Sequence, residues 1–155
     1  MITALIERVR GIYKKIQTAV EQSPGSAGKC RACGNCCNFK SFDHRLYVTP
    51  PEIDYFTFHI GAEDVKPMTD GICPYNVQGK CAVYEHRFAG CRIFCCTGDK
   101  DFQSQLTEST LMQLKHLCEE YSIPYRYADL SAALSRATSH GGRATSQYSS
   151  TGCGT

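Results

Sequence analysis

The most constraining feature of this chain is a run of eight residues, 30–37, whose sequence CRACGNCC holds four of the chain's eleven cysteines. Five more cysteines lie between residues 73 and 96. Thiols spaced as CxxCxxCC can converge on one metal ion within a tight turn, and Gly34 supplies the positive φ or close backbone approach that such a turn often needs. The spacing therefore predicts a metal site in this segment.

Disulfide bonds are the alternative explanation for so many cysteines. Glu7, Arg8 and Arg10 interrupt the apolar core that a signal peptide would need, which favours a reducing cytoplasm over an oxidising exterior. The number of cysteines is odd. Adjacent Cys36 and Cys37 would also need strained bridges, since the Cα atoms of a disulfide lie about 4.4 to 6.8 Å apart. We therefore expect thiols that are free or bound to metal.

Length and charge limit the remaining possibilities. A chain of 155 residues has room for one ordinary domain. The net charge is +2, and the excess of basic residues lies at Arg136 and Arg143, near the end of the chain. The sequence has no basic stripe interleaved with aromatic residues, so we expect no nucleic-acid partner. It has no apolar run long enough to span a bilayer, so we expect no membrane partner.

The first 29 residues are predicted to contain a helix and a linker. Residues 1–22 place apolar side chains at alternating steps of three and four, which predicts an amphipathic helix. These side chains are Ile2, Leu5, Val9, Ile12 and Ile16. The apolar stripe either packs on the core of the domain or joins a partner protein, including a second copy of the chain as a homodimer. Residues 23–29, SPGSAGK, predict a flexible linker.

Residues 30–134 are predicted to form one cysteine-cluster domain with a helix near its C-terminal end. The sequence TPPE at residues 49–52 predicts a capped helix from Pro50 to about Ile60. Residues 70–84 predict a short hairpin with its turn at residues 76–79. Residues 103–121 repeat leucines at helical spacing and predict a core-facing helix.

Residues 135–155 are predicted to be a disordered tail, because serine, threonine, glycine and arginine dominate them. Cys153 falls in that tail, and Cys118 is expected to be a plain buried thiol. The predicted fold is a small α+β domain, mainly helical with irregular loops and a short hairpin, organised around a cysteine-ligated metal site.

Three further motifs follow the CxxCxxCC segment. They are Cys73-Pro-Tyr, then Cys81 with AVYEHR after it, then Cys91-Arg-Ile-Phe. In order and spacing, residues 30–97 resemble the YkgJ-like cysteine-cluster family, whose domain is described as chelating zinc or iron. The resemblance implies a metal-binding domain but no established reaction.

Two positions depart from that family's usual pattern. Phe88 stands where the family usually has a proline after the arginine, and Cys95 stands where a proline often follows the Cys-Arg-x-Phe motif. Spacing and resemblance together predict seven metal ligands: Cys30, Cys33, Cys36, Cys37, Cys73, Cys81 and Cys91. Arg87 and Arg92 are expected to stabilise the cluster, because four thiolates on one zinc ion leave a net negative charge.

Two kinds of metal centre remain open. Zinc prefers four Cys or His ligands in a tetrahedron, usually from one CxxC pair and a second, distant one, and this chain has no CxxC pair outside residues 30–37. Cys30, Cys33 and Cys36 repeat the spacing of ferredoxin ligands, and Cys73-Pro resembles the remote ligand of a [4Fe-4S] cluster. Cys37 has no role in the ferredoxin pattern and could serve a second ion. Thiolates suit both zinc and iron.

Two function classes follow from these schemes. One is a metal-binding protein that uses, stores or delivers zinc or iron, and the other is an iron-sulfur redox protein or enzyme. The chain has no HExxH, phosphate-binding loop or GxSxG motif, so hydrolase and kinase activities have no support. His86 is the one histidine in the cysteine-rich second half and is expected at the surface. Whether the protein is an enzyme stays open.

Overall fold

A computed structural model describes residues 1–42 and 44–140 of the chain. The helices in this part are α1 (Ile2–Gln22), α2 (Pro24–Ala27), α3 (Phe39–Phe42), α4 (Pro50–Ile60), α5 (Ala89–Ile93), α6 (Lys100–Glu120) and α7 (Leu130–Ser139). The strands are β1 (Tyr47–Val48), β2 (Asn76–Val77), β3 (Lys80–Cys81) and β4 (Ala128–Asp129). The prediction of a mainly helical α+β fold with a short hairpin is confirmed. No helix within the described residues is both long and apolar enough to cross a membrane.

The strands form two small antiparallel sheets. β1 pairs with β4, and β2 pairs with β3 so that Val77 lies opposite Lys80. The second sheet is the predicted hairpin, but its turn is shorter than expected. Gln78 and Gly79 both have positive φ, +52° and +76°, which is typical of a two-residue hairpin turn. Asn76, predicted to lie in the turn, therefore belongs to a strand.

The N-terminal helix is part of the main hydrophobic core. Its predicted apolar face is buried, and it packs with Leu114 of α6, Ile93 of α5 and Tyr55 of α4. The apolar stripe that could have formed a homodimer interface is thus packed against the core of its own chain. The linker is more ordered than predicted, because Pro24–Ala27 is helical and Ala27 is 3% exposed.

Helix α4 lies between two hydrophobic clusters, with Tyr55 in one and Phe56 in the other. The predicted capping box is present: Glu52 Oε2 accepts a hydrogen bond from Thr49 N at 2.9 Å. Glu52 Oε1 accepts from Ala89 N at 2.8 Å, so one carboxyl group joins the first turns of α4 and α5. Glu52 is 1% exposed, and burial raises the pKa of its carboxyl group.

Helix α6 begins before its predicted start, and α7 extends into a segment that was predicted to be disordered. Asp99 caps α6 by accepting a hydrogen bond from Phe102 N at 2.8 Å, so the helix begins before residue 103. The expectation of disorder from residue 135 is wrong as far as residue 139, because α7 continues to Ser139 and buries Ala137. The rest of the predicted tail, residues 141–155 with Cys153, lies outside the described residues. Cys118 is buried in the core, as predicted.

Candidate metal centre

The CxxCxxCC segment forms a loop that ends in a 3-10 turn, Asn35–Cys37. Gly34 has φ +73°, which confirms the predicted left-handed position. A Cβ atom at this position would collide with the backbone of Gly79 in the hairpin turn. The loop and the hairpin therefore meet backbone to backbone, and a side chain at position 34 would separate them.

Hydrogen bonds dock the hairpin on the same loop. Cys73 N donates to Cys37 O at 2.9 Å, and Asn76 Nδ2 donates to Gly34 O at 3.2 Å. These bonds place Cys73 beside Cys37, although α4 lies between them in the sequence. Nearer the start of the loop, Ala32 N donates to Cys30 Sγ at 3.4 Å.

The third part of the site is the start of α5, which carries Cys91. Arg87, directly before this helix, donates from Nη1 to Cys91 O at 3.1 Å and from Nε to Tyr84 O at 3.0 Å. Its guanidinium lies 3.6 Å from the centre of the Tyr84 ring. Two hydrogen bonds from its guanidinium to backbone carbonyl groups, and a cation–π contact with Tyr84, thus hold Arg87 at the edge of the cysteine cluster.

These elements enclose a cavity of about 690 Å³. Six of the seven predicted ligands line it: Cys30, Cys36, Cys37, Cys73, Cys81 and Cys91. Cys33 is exposed and is not among the lining residues, and neither Cys95 nor Cys96 lines the cavity. The fold brings together thiols from a loop, a hairpin and a short helix that are far apart in sequence.

The thiols of Cys36, Cys37 and Cys73 interact in series, and each interaction shifts the pKa values of the two partners. Hydrogen bonding to Cys37, followed by burial, raises the pKa of Cys36 well above its usual value. Hydrogen bonding to Cys36 lowers the pKa of Cys37, but hydrogen bonding to Cys73 and burial outweigh this and raise it to about 11. Hydrogen bonding to Cys37 lowers the pKa of Cys73. Of these three thiols, Cys73 is therefore the one that ionises most readily.

Cys91 lies deeper than the other cysteines of the cavity. Burial, followed by the repulsion of a charged Cys37 nearby, raises the pKa of Cys91 to about 12. A buried thiol of this kind ionises only when a cation compensates its charge, as a bound metal does.

The thiols as placed do not form a finished coordination shell. Within residues 1–42 and 44–140, no three Cys, His, Asp or Glu side chains are arranged to hold a metal ion. All ten described cysteines are free, in agreement with the prediction that they form no disulfides. The donor set itself suits a thiophilic metal, because free thiols from three segments share one cavity with Arg87.

The structure does not place Arg92 where the sequence predicted it. Arg92 is absent from the cavity wall and donates to the backbone instead, from Nε to Arg87 O at 2.7 Å and from Nη2 to Glu85 O at 2.8 Å. Its guanidinium lies 4.2 Å from the centre of the Tyr13 ring. Arg92 therefore attaches the Arg87 segment to α1, and Arg87 is the arginine that faces the thiols.

Two histidine positions were not anticipated. His44 Nε2 lies 2.9 Å from Cys36 O, and its ring packs between those of Phe39 and Phe94. His86, expected at the surface, is half-buried and stacks on His59 with ring centres 4.6 Å apart. Both arrangements join segments distant in sequence, so no local pattern could have revealed them.

Comparison with known proteins found no relative: the chain matches no protein-family model, no curated protein and no solved structure. Its resemblance to the YkgJ-like family over residues 30–97 thus stays a prediction that rests on the motifs alone.

Proposed function

We propose that this chain is a metal-binding protein whose cysteine cluster chelates zinc or iron. The proposed ligands are drawn from the predicted set: Cys30, Cys33, Cys36, Cys37, Cys73, Cys81 and Cys91. The ion has a structural, storage or delivery role. The protein acts in the cytoplasm, where a reducing environment keeps such thiols available for metal.

The observation that carries this proposal is the hydrogen bond from Cys73 N to Cys37 O at 2.9 Å, which sets these two cysteines side by side in one cavity. Thiols brought together by folding, and not by local sequence, form a metal site or a redox pair. The thiol of Cys36 interacts with that of Cys37, and Cys81 and Cys91 line the same cavity. More than two thiols in one cavity favour a metal, because a redox pair needs only two.

The lack of buried side chains around the cysteines supports a structural role. No residue in the stretches 28–42 and 44–47 is buried. Such a segment gains little hydrophobic stabilisation, and thiolate–metal bonds would supply what packing does not.

An iron-sulfur redox protein or enzyme is the second possibility. Cys30, Cys33 and Cys36 have ferredoxin spacing, and the Ala32 N–H directed at Cys30 Sγ is the type of hydrogen bond that tunes cluster potentials. The position of Cys33 outside the cavity wall counts against it.

Metal content and colour of anaerobically purified protein test both possibilities. A colourless protein with zinc or a single iron ion supports the first, and a brown protein with inorganic sulfide supports the second. Cys73→Ser should lower the amount of metal bound per protein molecule, because it removes the most ionisable of the three interacting thiols, those of Cys36, Cys37 and Cys73. Cys96→Ser is the matched control, since Cys96 is exposed and lies outside the cavity. Equal metal content in both variants would overturn the ligand assignment.

A further inference from the structure

The cysteine cavity is much larger than a metal ion requires. Its volume of about 690 Å³ falls in the range of roughly 300 to 1,000 Å³ found for small-molecule sites. A water molecule, which is comparable in size to a metal ion, takes about 30 Å³ in the liquid. Most of the cavity therefore remains available when its thiol side is in use.

The remaining wall is apolar and aromatic. The rings of Phe39, His44 and Phe94 follow one another at 5.2 and 5.4 Å, and Tyr47 packs on Tyr127 at 5.3 Å. Phe94 is 41% exposed and Tyr127 is 42% exposed, although both line a cavity. Aromatic surface held open to water in a concave site is stabilised when an apolar ligand covers it.

Among the residues that the structure describes, the charged side chains on the cavity wall are all basic. They are Arg31, Arg45, Lys80 and Arg87. No Asp or Glu among the described residues lines the cavity, and the first three of these cations form no ion pair in that part of the chain. A zinc ion with four thiolates would contribute a charge of about −2, which leaves the cavity positive. A concave site with an excess of one charge concentrates ions of the opposite sign.

From the volume, the aromatic wall and the charge, we propose that this cavity binds a small organic anion with an aromatic or otherwise apolar body. The apolar body lies against Phe94 and Tyr127. The cations of the cavity bind the negatively charged group. We expect Arg45 to contribute most, because its neighbours in the sequence, His44 and Leu46, also line the cavity. Apart from Arg87, this site uses different side chains from the metal proposal, and it does not depend on that proposal.

Two fluorescent probes of nearly the same shape test the proposal. Anilinonaphthalene sulfonate carries an aromatic body and an anionic group, and phenylnaphthylamine is the corresponding neutral molecule. Both are titrated against the full-length folded protein as purified, with metal content measured on the same sample. We expect one-to-one binding of the anionic probe, at least about fivefold tighter than the neutral probe, as one ion pair of about 1 kcal/mol would give.

Three variants then separate charge from shape. Arg45→Gln should weaken the anionic probe about fivefold and leave the neutral probe unchanged. Phe94→Ser should weaken both probes, since it removes apolar wall. Lys14→Gln is the matched control, because Lys14 is an exposed cation on α1 away from the cavity. It should change neither affinity.

Partially unfolded protein also binds the anionic probe. Each variant must therefore keep the near-ultraviolet circular dichroism of the parent. If Arg45→Gln does not fold, Lys80→Gln and added salt replace it, and both should weaken only the anionic probe. Equal affinity for the two probes, or equal loss in the Arg45 and Lys14 variants, would overturn the proposal. Because metal is measured separately, failure of anion binding with metal retained counts against this site alone.

Discussion

The helical body, formed by α1, α4 and α6, and the cysteine loop, residues 28–42 and 44–47, are stabilised in different ways. In the body, Val9, Phe56 and Leu114 are all 0% exposed. In the cysteine loop no described residue is buried, and its contacts are backbone hydrogen bonds, the close approach of Gly34 to Gly79 and the partly buried side chains of Phe39 and Leu46. Hydrophobic packing therefore accounts for much of the stability of the body, whereas the loop gains little from it.

The largest expected effect is that of removing metal. Chelator treatment of reduced protein should abolish amide-exchange protection in the cysteine loop and in β2 and β3, while α1, α4 and α6 stay protected. Structural zinc in small domains contributes an apparent folding free energy of about 10 to 16 kcal/mol. This exceeds the stabilisation from the few backbone hydrogen bonds of the loop. Hydrogen exchange followed by mass spectrometry measures this. Protection of the loop that is unchanged by chelator would show a preformed fold with a peripheral site.

The second effect tests the body. Phe56→Ala should lower the free energy of unfolding by about 3 to 5 kcal/mol, because it leaves a cavity in contact with Tyr75 and Phe88. Phe58→Ala on the same helix is the control, since Phe58 is 51% exposed, and it should cost less than about 0.5 kcal/mol. Urea denaturation gives both values. Similar losses for the two variants would mean that the α4 packing described above is wrong.

The third effect tests the loop. Gly34→Ala should cost about 1 to 3 kcal/mol from its left-handed backbone alone, and the clash with Gly79 adds to this. We expect lower metal content with little change in helical circular dichroism. Gly11→Ala is the control: a Cβ there meets nothing within 4 Å, and in helix α1 it should stabilise by about 0.5 to 1 kcal/mol. Normal metal content in Gly34→Ala would separate the loop's geometry from metal binding.

The smallest effect concerns pH and belongs to the body. Burial, followed by repulsion from His86 and Arg10 and opposed by Glu7, lowers the pKa of His59 in the folded protein. The unfolded chain therefore binds a proton more readily, so the stability supplied by neutral His59 is lost as the pH falls below about 6.5. Urea midpoints of chelator-treated protein at neutral and mildly acidic pH measure this loss.

Two variants assign that pH dependence. His59→Phe keeps a ring against His86 but cannot take up a proton, so it should flatten the dependence. His116→Gln should leave it unchanged, because the His116 side chain is 77% exposed. An equal pH dependence in the parent and in His59→Phe would remove His59 as its source.

The sequence predicted those parts of the molecule whose signals are local. The capping box at Thr49 and Glu52, the apolar stripe of α1 and the glycine at position 34 each depend on neighbouring residues, and all three are present in the structure. The disorder expected from residue 135 was wrong for residues 135–139, because composition does not show that Ala137 packs against the core. A small side chain can be buried without a hydrophobic pattern around it.

Long-range placement could not be read from the sequence. Arg92 was expected to compensate the negative charge of the thiolates, but the fold turns its guanidinium toward Tyr13. The apolar wall of the cavity joins Phe94 to His44 and Tyr127 to Tyr47, and the second of these pairs depends on the pairing of β1 with β4. Such contacts are set by tertiary packing, and one sequence carries no record of them.

The position of α4 between Cys37 and Cys73 has a consequence for binding. Because α4 is buried on both of its sides, the body fixes the two points from which these cysteines extend. Bringing Cys37 and Cys73 together costs conformational entropy of the chain between them. That entropy is lost when the body folds, before any ligand binds. The thiols therefore meet a ligand at a high effective concentration of donors. By thermodynamic linkage, a substitution deep in the body that never touches the ligand will still weaken its capture once the folded population falls.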